Sequence, residues 1–372
     1  MKELTMSGPS FGVEEEFLLV DPLTGWPVAR NTEVARHAAR RGIDIQLEMT
    51  ASQVEVATDK SETSSQLREQ ISQLRAATSA SAQEAGAALL AAGMPPAGDA
   101  PVPITDNARY HRIADAVGMI ADERGNCGCH VHVEVPSRDA AIAVSNWLRP
   151  WLPVMLALTA NSAVHRGTDS GHASWRHVVW GRWPSAGPPP YFDTEADCDA
   201  TVATLLESGA IFDDGMVYWD VRPSVRFPTV EVRVADVPLT AAETVLHATL
   251  VRASVMTALA AYERGEPAPP IPHHLVRLAC WKAAHDGLGG RLLDITGPSN
   301  TVARAVPATR VLQQWLTAIG PALCQLGDDA WACPEVHRLL QRGNGAIRQR
   351  RAWRYRRDVA DVVAEIAAAT VS

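Results

Sequence analysis

Four short stretches of the chain alternate apolar and polar residues with period two, the pattern of a strand with one face buried, because successive side chains of a strand point to opposite sides. Phe11–Val20 reads Phe-Gly-Val-Glu-Glu-Glu-Phe-Leu-Leu-Val and sets Glu14 and Glu16 on one face. Gln53–Ala57 carries Glu55, with Glu48 a few residues upstream. Cys129–Val135 places His130, His132 and Glu134 opposite Val131, Val133 and Val135. Thr229–Ala235 places Glu231 and Arg233 opposite Val230, Val232 and Val234. Helical patterns separate these strands. Asn31–Arg41 reads as a helix capped by Asn31 or Thr32. Ser61–Gly93 is a long Ala-, Gln- and Leu-rich helix ended by Met94-Pro-Pro-Ala-Gly. Ser137–His165 is helical with a kink near Pro150 and Pro153, since proline removes a helix donor. Trp183–Pro190 reads as a loop, and Met216–Val221 and Thr229–Val237 as adjacent strands. From Thr240 onward the pattern is nearly all helical. No repeat, low-complexity tract or linker interrupts this order. The expected fold class is α+β, an antiparallel-rich sheet packed on helices, with residues 1–372 forming one domain.

Composition narrows the possibilities. An apolar fraction of 47% in 372 residues supports a substantial core. A net charge of −8 disfavours general nucleic-acid binding. The best apolar run, Trp151–Ala160, is too short to cross a bilayer, so no membrane association is expected. The opening Met-Lys-Glu-Leu-Thr-Met lacks the apolar core of a signal peptide, which points to the cytoplasm. Six cysteines in a chain of this size do not make a disulfide scaffold, and reduced thiols are expected.

The polar faces of the strands suggest a magnesium site. Magnesium takes oxygen ligands in near-octahedral geometry and bridges carboxylates to substrate phosphates. Glu14, Glu16, Glu48, Glu55 and Glu231 supply carboxylates from different strands, with His130 as a minority nitrogen ligand. Glu48 and Glu55 are seven apart, so an unbroken strand would put them on opposite faces; Met49–Ser52 must bulge or turn for both to reach one site. Arg233, two residues from Glu231, suits a phosphoryl group and the charge that develops in its transfer. The plainer alternative for Arg233 is an exposed cross-strand salt bridge worth little energy. A different chemistry is written in Cys127-Gly-Cys129-His130-Val-His132, a soft ligand set that suits zinc and a zinc hydrolase. Against it, Cys129 and His130 point to opposite faces of the strand.

Two further clusters mix cations with aromatic surfaces. Asn161–Trp183 holds His165, Arg166, His172, Trp175, Arg176, His177 and Trp180, and Trp219, Asp220 and Arg222 follow on a later segment. Both suit the grip on a carboxylate substrate. The seven arginines between Arg342 and Arg357 read as a solvated helix face, or as a surface toward nucleotide or a second subunit. No P-loop, no Gly-x-Gly-x-x-Gly fingerprint, no Gly-x-Ser-x-Gly elbow and no His-Glu-x-x-His pair occurs.

Five segments together resemble the bacterial YbdK-type carboxylate–amine ligases, also called type 2 glutamate–cysteine ligases. They are Phe-Gly-Val-Glu-Glu-Glu-Phe-Leu-Leu-Val-Asp-Pro-Leu-Thr-Gly, Ser-Gln-Val-Glu-Val-Ala-Thr, Gly-Cys-His-Val-His-Val, Trp-Asp-Val-Arg-Pro-Ser and Pro-Thr-Val-Glu-Val-Arg-Val-Ala-Asp. The resemblance implies a glutamine-synthetase-like fold whose curved antiparallel sheet lines a funnel for ATP and magnesium or manganese. It implies phosphorylation of a carboxylate, typically the γ-carboxyl of L-glutamate, and displacement of phosphate by an amine such as L-cysteine. It also implies a homodimer. By motif, Glu14 and Glu16 match one metal-binding pair, Glu48 and Glu55 a second, and His130 and Glu231 the remaining metal ligands. Arg233 matches the phosphate-contacting arginine, with Arg222 and Arg166 also on the cofactor side. Glu55, Arg233 and His132 are the expected catalytic residues. The chain departs from the pattern at Glu134, where a small residue is usual, and at His172 and Trp175, where tyrosines are. These departures bear on which carboxylate and amine are used.

Overall fold

Strand β1 (Phe11–Val20) is long enough to pair with three other strands, and the sheet is organised around it. The computed structural model describes residues 8–99, 101–122, 125–297 and 302–372; the opening hexapeptide lies outside them. The other strands of the main sheet are β2 (Gln46–Leu47), β3 (Gln53–Ala57), β4 (Ala88–Leu90), β5 (Gly128–Glu134), β6 (Val221–Pro223) and β7 (Thr229–Asp236). Their order is β2–β3–β1–β5–β7–β6, with β4 also against β1, and every pairing is antiparallel. In this register Glu14 faces Ala57 and His130, Glu16 faces Glu55, and Glu231 faces His132. Cross-strand partners share a face, so the residues picked out by alternation lie side by side.

Thirteen helices are described: α1 (Asn31–Ala39), α2 (Ser64–Glu84), α3 (Ala108–Val117), α4 (Arg138–Leu148), α5 (Leu152–Thr159), α6 (Trp175–Trp180), α7 (Glu195–Glu207), α8 (Ala241–Glu263), α9 (His273–Asp286), α10 (Ala308–Leu326), α11 (Asp329–Arg342), α12 (Gly345–Arg356) and α13 (Val359–Thr370). The largest core cluster joins Val131, Val133, Val230 and Val232 of the sheet to Val144, Leu156, Val245 and Leu250 of α4, α5 and α8. The apolar face of the sheet therefore packs on helices, and its charged face is turned the other way. The α4–α5 stretch and α8 are long and apolar enough to span a membrane, but 83% and 78% of their apolar windows are buried inside this protein. They are core helices.

Several element boundaries differ from the sequence reading, each for a local reason. Helix α2 stops at Glu84 because Gly86 takes a left-handed φ of 73°, and the chain re-enters the sheet as β4. The helix expected over 137–165 breaks into α4, a turn at Arg149–Trp151 and α5, and then gives a small hairpin, Val164–His165 with Thr168–Asp169. Of the strand expected at 216–221, Met216 belongs to a short 3₁₀ turn, and the paired strand is Val221–Pro223. A second hairpin, Arg291–Asp294 with Arg304–Pro307, interrupts the helical C-terminal third. Neither Asn31 nor Thr32 caps α1; Arg30 stands at the cap, and the Asn31 amide donates instead to Thr105 Oγ1 at 2.9 Å.

The glutamate between Glu14 and Glu16 points into the core. The Glu15 carboxylate is met by the Arg75 guanidinium at 2.6 and 3.1 Å, both side chains being about 1% exposed. Thr244 Oγ1 donates to Glu15 at 2.6 Å. Arg75 also donates to the carbonyls of Pro238, Leu239 and Thr370. One guanidinium thus ties β1, α2, the turn after β7 and the end of α13 together, with its donors used in the fork geometry that arginine alone offers. Removing one partner of such a pair strands a buried charge. Arg75→Met should cost about 3–5 kcal/mol in urea unfolding, whereas Glu15→Leu with Arg75→Met should cost clearly less than Arg75→Met alone. Strict additivity of the two substitutions would contradict this account.

Candidate active site

A cavity of about 980 Å³ opens over the charged face of the sheet. Glu14, Glu16, Glu48, Glu55, His130, His132, Glu231, Arg222 and Arg233 all line it. Their positions follow from strand pairing. The Met49–Ser52 segment does turn: β2 ends at Leu47, Thr50 bridges to Ile104, and β3 begins at Gln53, so Glu48 and Glu55 reach the same cavity. On the other side a bulge interrupts the β5–β7 pairing. Cys129 pairs with Ala235 but Val131 pairs with Val232, so Arg233 and Val234 together oppose His130. The bulge leaves Arg233 lining the cavity beside Glu231 while Val234 and Ala235 both enter the core.

The distances describe two overlapping ligand sets. His130 Nδ1 lies 3.1 Å from Glu14 Oε2, and His130 Nε2 lies 3.8 Å from Glu16 Oε1. One oxygen or nitrogen from each of Glu14, His130 and Glu231 falls within 4.8 Å of the others, and the same holds for Glu16, Glu55 and His130. Glu16 Oε2 also accepts the Gly128 backbone N–H at 2.6 Å, which fixes its orientation. His132 Nδ1 is held by Thr229 Oγ1 at 3.0 Å, leaving Nε2 3.4 Å from Glu14 and 3.9 Å from Glu231 with no hydrogen-bond partner.

Charge crowding divides the carboxylates into two kinds. Burial raises Glu55 well above the ordinary carboxylate range, and Glu48, Glu14 and Glu16 add to it by repulsion. Glu48, half-buried against the cavity, is pushed up to about 7 by desolvation and by Glu16. Burial acts on Glu14 too, but the adjacent His130 and His132 imidazoles outweigh it and hold the carboxyl low. Burial of Glu231 is likewise overcome, by Arg233 and Arg222. Arg222 Nε donates to Glu231 at 2.8 Å, and Arg233 Nη1 donates to its other oxygen. Glu231 is therefore bound by two guanidiniums, while Glu48 and Glu55 are pushed the other way, toward the protonated form.

Other sequence candidates go elsewhere. Arg166 sits exposed in the 164–169 hairpin with a left-handed φ of 48° and does not line the cavity. His172 and Trp175 pack on each other, and His172 also on His285, outside the cavity; Glu134 does line it, accepting from Ser10 and pairing with Lys60 at 3.1 Å. The Cys127–His132 set does not assemble: Cys129 is in the valine core on the opposite face, and the Cys127 Sγ is met by the Gln53 amide at 3.4 Å. The arginine run ties α12 to its neighbours, with Arg348 on Glu365, Arg350 on Asp169 and Arg356 on Asp361. None of it lines the cavity.

Long-range packing adds residues that local pattern did not single out. Arg176, at the start of α6, is buried beside Asp236, whose carboxylate is held by the Asn161 N–H and the Ser162 and Ser174 hydroxyls. A Cβ on Gly128 would come within 2.3 Å of Arg176 Nη2, so glycine there is what admits the guanidinium to the cavity. Trp180, Trp183 and Tyr218 form an aromatic wall with ring centroids 4.8–5.5 Å apart, next to Tyr110 and the Arg109–Asp213 pair.

Known proteins match this chain over nearly its whole length. The sequence model of glutamate–cysteine ligase family 2 matches residues 10–365. A Mycolicibacterium smegmatis protein provisionally named glutamate–cysteine ligase 2-3 is 57% identical over 98% of this chain and 99% of its own length. A Nocardia farcinica protein provisionally named glutamate–cysteine ligase 2-1 is 52% identical over 98% and 94%. Among solved structures, a glutamate–cysteine ligase from Francisella tularensis in complex with AMP superposes with a TM-score of 0.67 at 13% identity, over 98% of this chain and 89% of that one. A bifunctional glutathione synthetase from Pasteurella multocida gives 0.71 at 15% identity, over 98% of this chain and 53% of that one. At these identities the superpositions speak for the fold. The chain belongs to glutamate–cysteine ligase family 2, a family of ATP-dependent carboxylate–amine ligases that form a C–N bond.

Proposed function

We propose that the cavity over β1, β3, β5 and β7 activates the γ-carboxyl of L-glutamate with ATP and passes the acyl group to an amine such as L-cysteine. The observation that carries this reading is the convergence of Glu14, Glu16, Glu48, Glu55 and Glu231 with His130, His132, Arg222 and Arg233 in one cavity. The donor set fits magnesium, with manganese as a related occupant, being oxygen-rich and built from carboxylates of several strands. Glu14, His130 and Glu231 would hold an ion, or Glu16, Glu55 and His130 with Glu48 beside them, the single lone pair of the neutral His130 imidazole serving one set at a time. An ion held there would supply charge neutralisation for the ATP phosphates.

The reaction needs two displacements. A glutamate carboxylate oxygen attacks the γ-phosphorus and ADP leaves; the amine nitrogen then attacks the acyl carbon and phosphate leaves as the nitrogen loses a proton. Arg233 stands beside Glu231 with its Nε buried and without a partner, a donor available to a transferring phosphoryl group. Arg222, on the same carboxylate, holds that arrangement from the far side. Glu55 is assigned to metal binding and, through it, to the transfer. His132 Nε2, free of a hydrogen-bond partner, is the group assigned to take the amine proton. Arg166, outside the cavity, is given no role. The family match over nearly the whole chain supports treating residues 1–372 as one catalytic domain. A cytoplasmic homodimer is the setting we assign to it, since ATP and free amino acids are cytoplasmic substrates.

Two measurements test these assignments. ADP and phosphate release from magnesium-ATP should require glutamate and rise with one member of an amine panel that includes cysteine, and Arg233→Ala should lower kcat by about 10²–10³-fold. Release that ignores glutamate would refute the carboxylate assignment. The second concerns protons. Glu48 retains its proton in the folded apoprotein up to about pH 7, where an unfolded glutamate has lost it. Its contribution to stability therefore falls as pH rises through that window, and magnesium reverses the loss by displacing the proton. Calorimetry should show tighter magnesium binding at pH 8 than at pH 6, with proton release at pH 6. Glu48→Gln should flatten this dependence, and an affinity independent of pH in the parent protein would contradict it.

A further inference from the structure

Behind the cavity wall lies a second cluster of ligand-type side chains, three residues that have no part in the proposed ligase chemistry. His177 comes from α6, Asp220 from the residue before β6, and Cys280 from the middle of α9. One donor atom of each lies within 4.8 Å of the other two. None of the three lines the active-site cavity. Asp220 and Cys280 are 2% and 1% exposed, and His177 is half-buried.

The Asp220 carboxylate is the anomaly. Its Oδ2 is buried with no hydrogen-bond partner. The backbone that carries it is fixed, since the Asp220 N–H donates to Gly187 O and its carbonyl accepts from Arg233 N, each at 2.8 Å. A buried, unpaired carboxylate oxygen is costly, and buried carboxylates are normally paired or bound to metal. Arg176 and Arg233 act on Asp220 at a distance, but among the described residues no ion pair is formed with it.

We propose that His177, Asp220 and Cys280 form a second cation site, selective for a zinc-class divalent ion. One nitrogen, one oxygen and one sulfur donor are the ligand types zinc accepts, and three protein ligands leave a fourth position for water. Zinc–ligand bonds of about 2.0–2.3 Å put tetrahedral donors roughly 3.3–3.6 Å apart, so the three groups need move inward by only about an ångström. The set is distinct from the magnesium cage, since magnesium takes oxygen and gains little from a thiolate. Binding releases the thiol proton of Cys280 to solvent, together with any proton held by Asp220. The ion would brace α6, β6 and α9 against one another. Arg176 is the neighbour of one ligand and the Arg233 backbone is hydrogen-bonded to another, so the brace stands directly behind two cavity arginines.

Cobalt(II) is the probe, because a thiolate ligand gives it a charge-transfer absorption that carboxylates and histidines do not. The exposed thiols are first removed by Cys324→Ser and Cys333→Ser, and excess magnesium occupies the carboxylate cage. The parent should then show one equivalent of the thiolate band. Cys280→Ser should abolish it, and Asp220→Asn should weaken cobalt binding at least about tenfold, since even outer-shell substitutions cost about 10–100-fold. Zinc should raise the melting midpoint of the parent but not of Cys280→Ser. If Cys280→Ser does not fold, His177→Gln at the half-buried ligand gives the same comparison. Absence of the band in the parent, or a band that survives loss of Cys280 or His177, would overturn the proposal. Failure of glutamate-dependent turnover bears only on the ligase reading, so the two are separable.

Discussion

The buried fork between Glu15 and Arg75 is the constraint on which the rest of the architecture depends. Three consecutive glutamates in a strand cannot all face one way. By drawing the middle one into the core and saturating it, Arg75 commits Glu14 and Glu16 to the opposite face. The same guanidinium reaches the carbonyls of Pro238 and Leu239, just after β7, and of Thr370 at the end of α13. The strand carrying Glu231 and Arg233 is thereby anchored to the strand carrying Glu14 and Glu16. A buried ion pair is a poor source of net stability, but it is intolerant of alternatives, and register is what this site needs.

On the exposed side of that sheet the opposite problem arises, an excess of like charge. Two carboxylates are held low from within the protein, Glu231 by two arginines and Glu14 by the neighbouring His130 and His132. Glu48 and Glu55 are pushed up instead, by burial and by repulsion from their neighbours. The face therefore carries its charge unevenly, paired with arginine at Glu231 and left to burial and repulsion at Glu48 and Glu55. The β5–β7 bulge belongs to the same design: it spends one residue of pairing to keep Arg233 beside Glu231 while Val234 and Ala235 both stay in the core.

Much of this was legible in the sequence because strands encode their faces. Alternation around Glu14, Glu16, Glu55, His130, His132, Glu231 and Arg233 placed each on the right side of its own strand, and the structure aligns them by pairing. Even the doubt over Glu48 was well posed, since the turn at 49–52 that it demanded is present. Where local pattern misled, the cause was also local. Ala88–Leu90 continues the composition of α2 and is separated from it only by the positive φ at Gly86. Arg166 lies in a segment rich in cations and aromatics, and composition alone does not say which of them turn inward.

Sequence by itself determined the fold class, the family and the membership of the carboxylate face, because period-two alternation and short motifs are properties of neighbouring residues. Only the tertiary structure decided which distant residues meet that face. Arg176 enters the cavity because Gly128 has no side chain; Trp180, Trp183 and Tyr218 form a wall because α6 and the segment before β6 fold together; and Cys280, some sixty positions from Asp220, comes beside it through the packing of α9. The protonation of Glu48 and Glu55 belongs to this second group as well. A carboxyl group's charge depends on what surrounds it in space, through desolvation and Coulomb repulsion, and not on its neighbours in the chain.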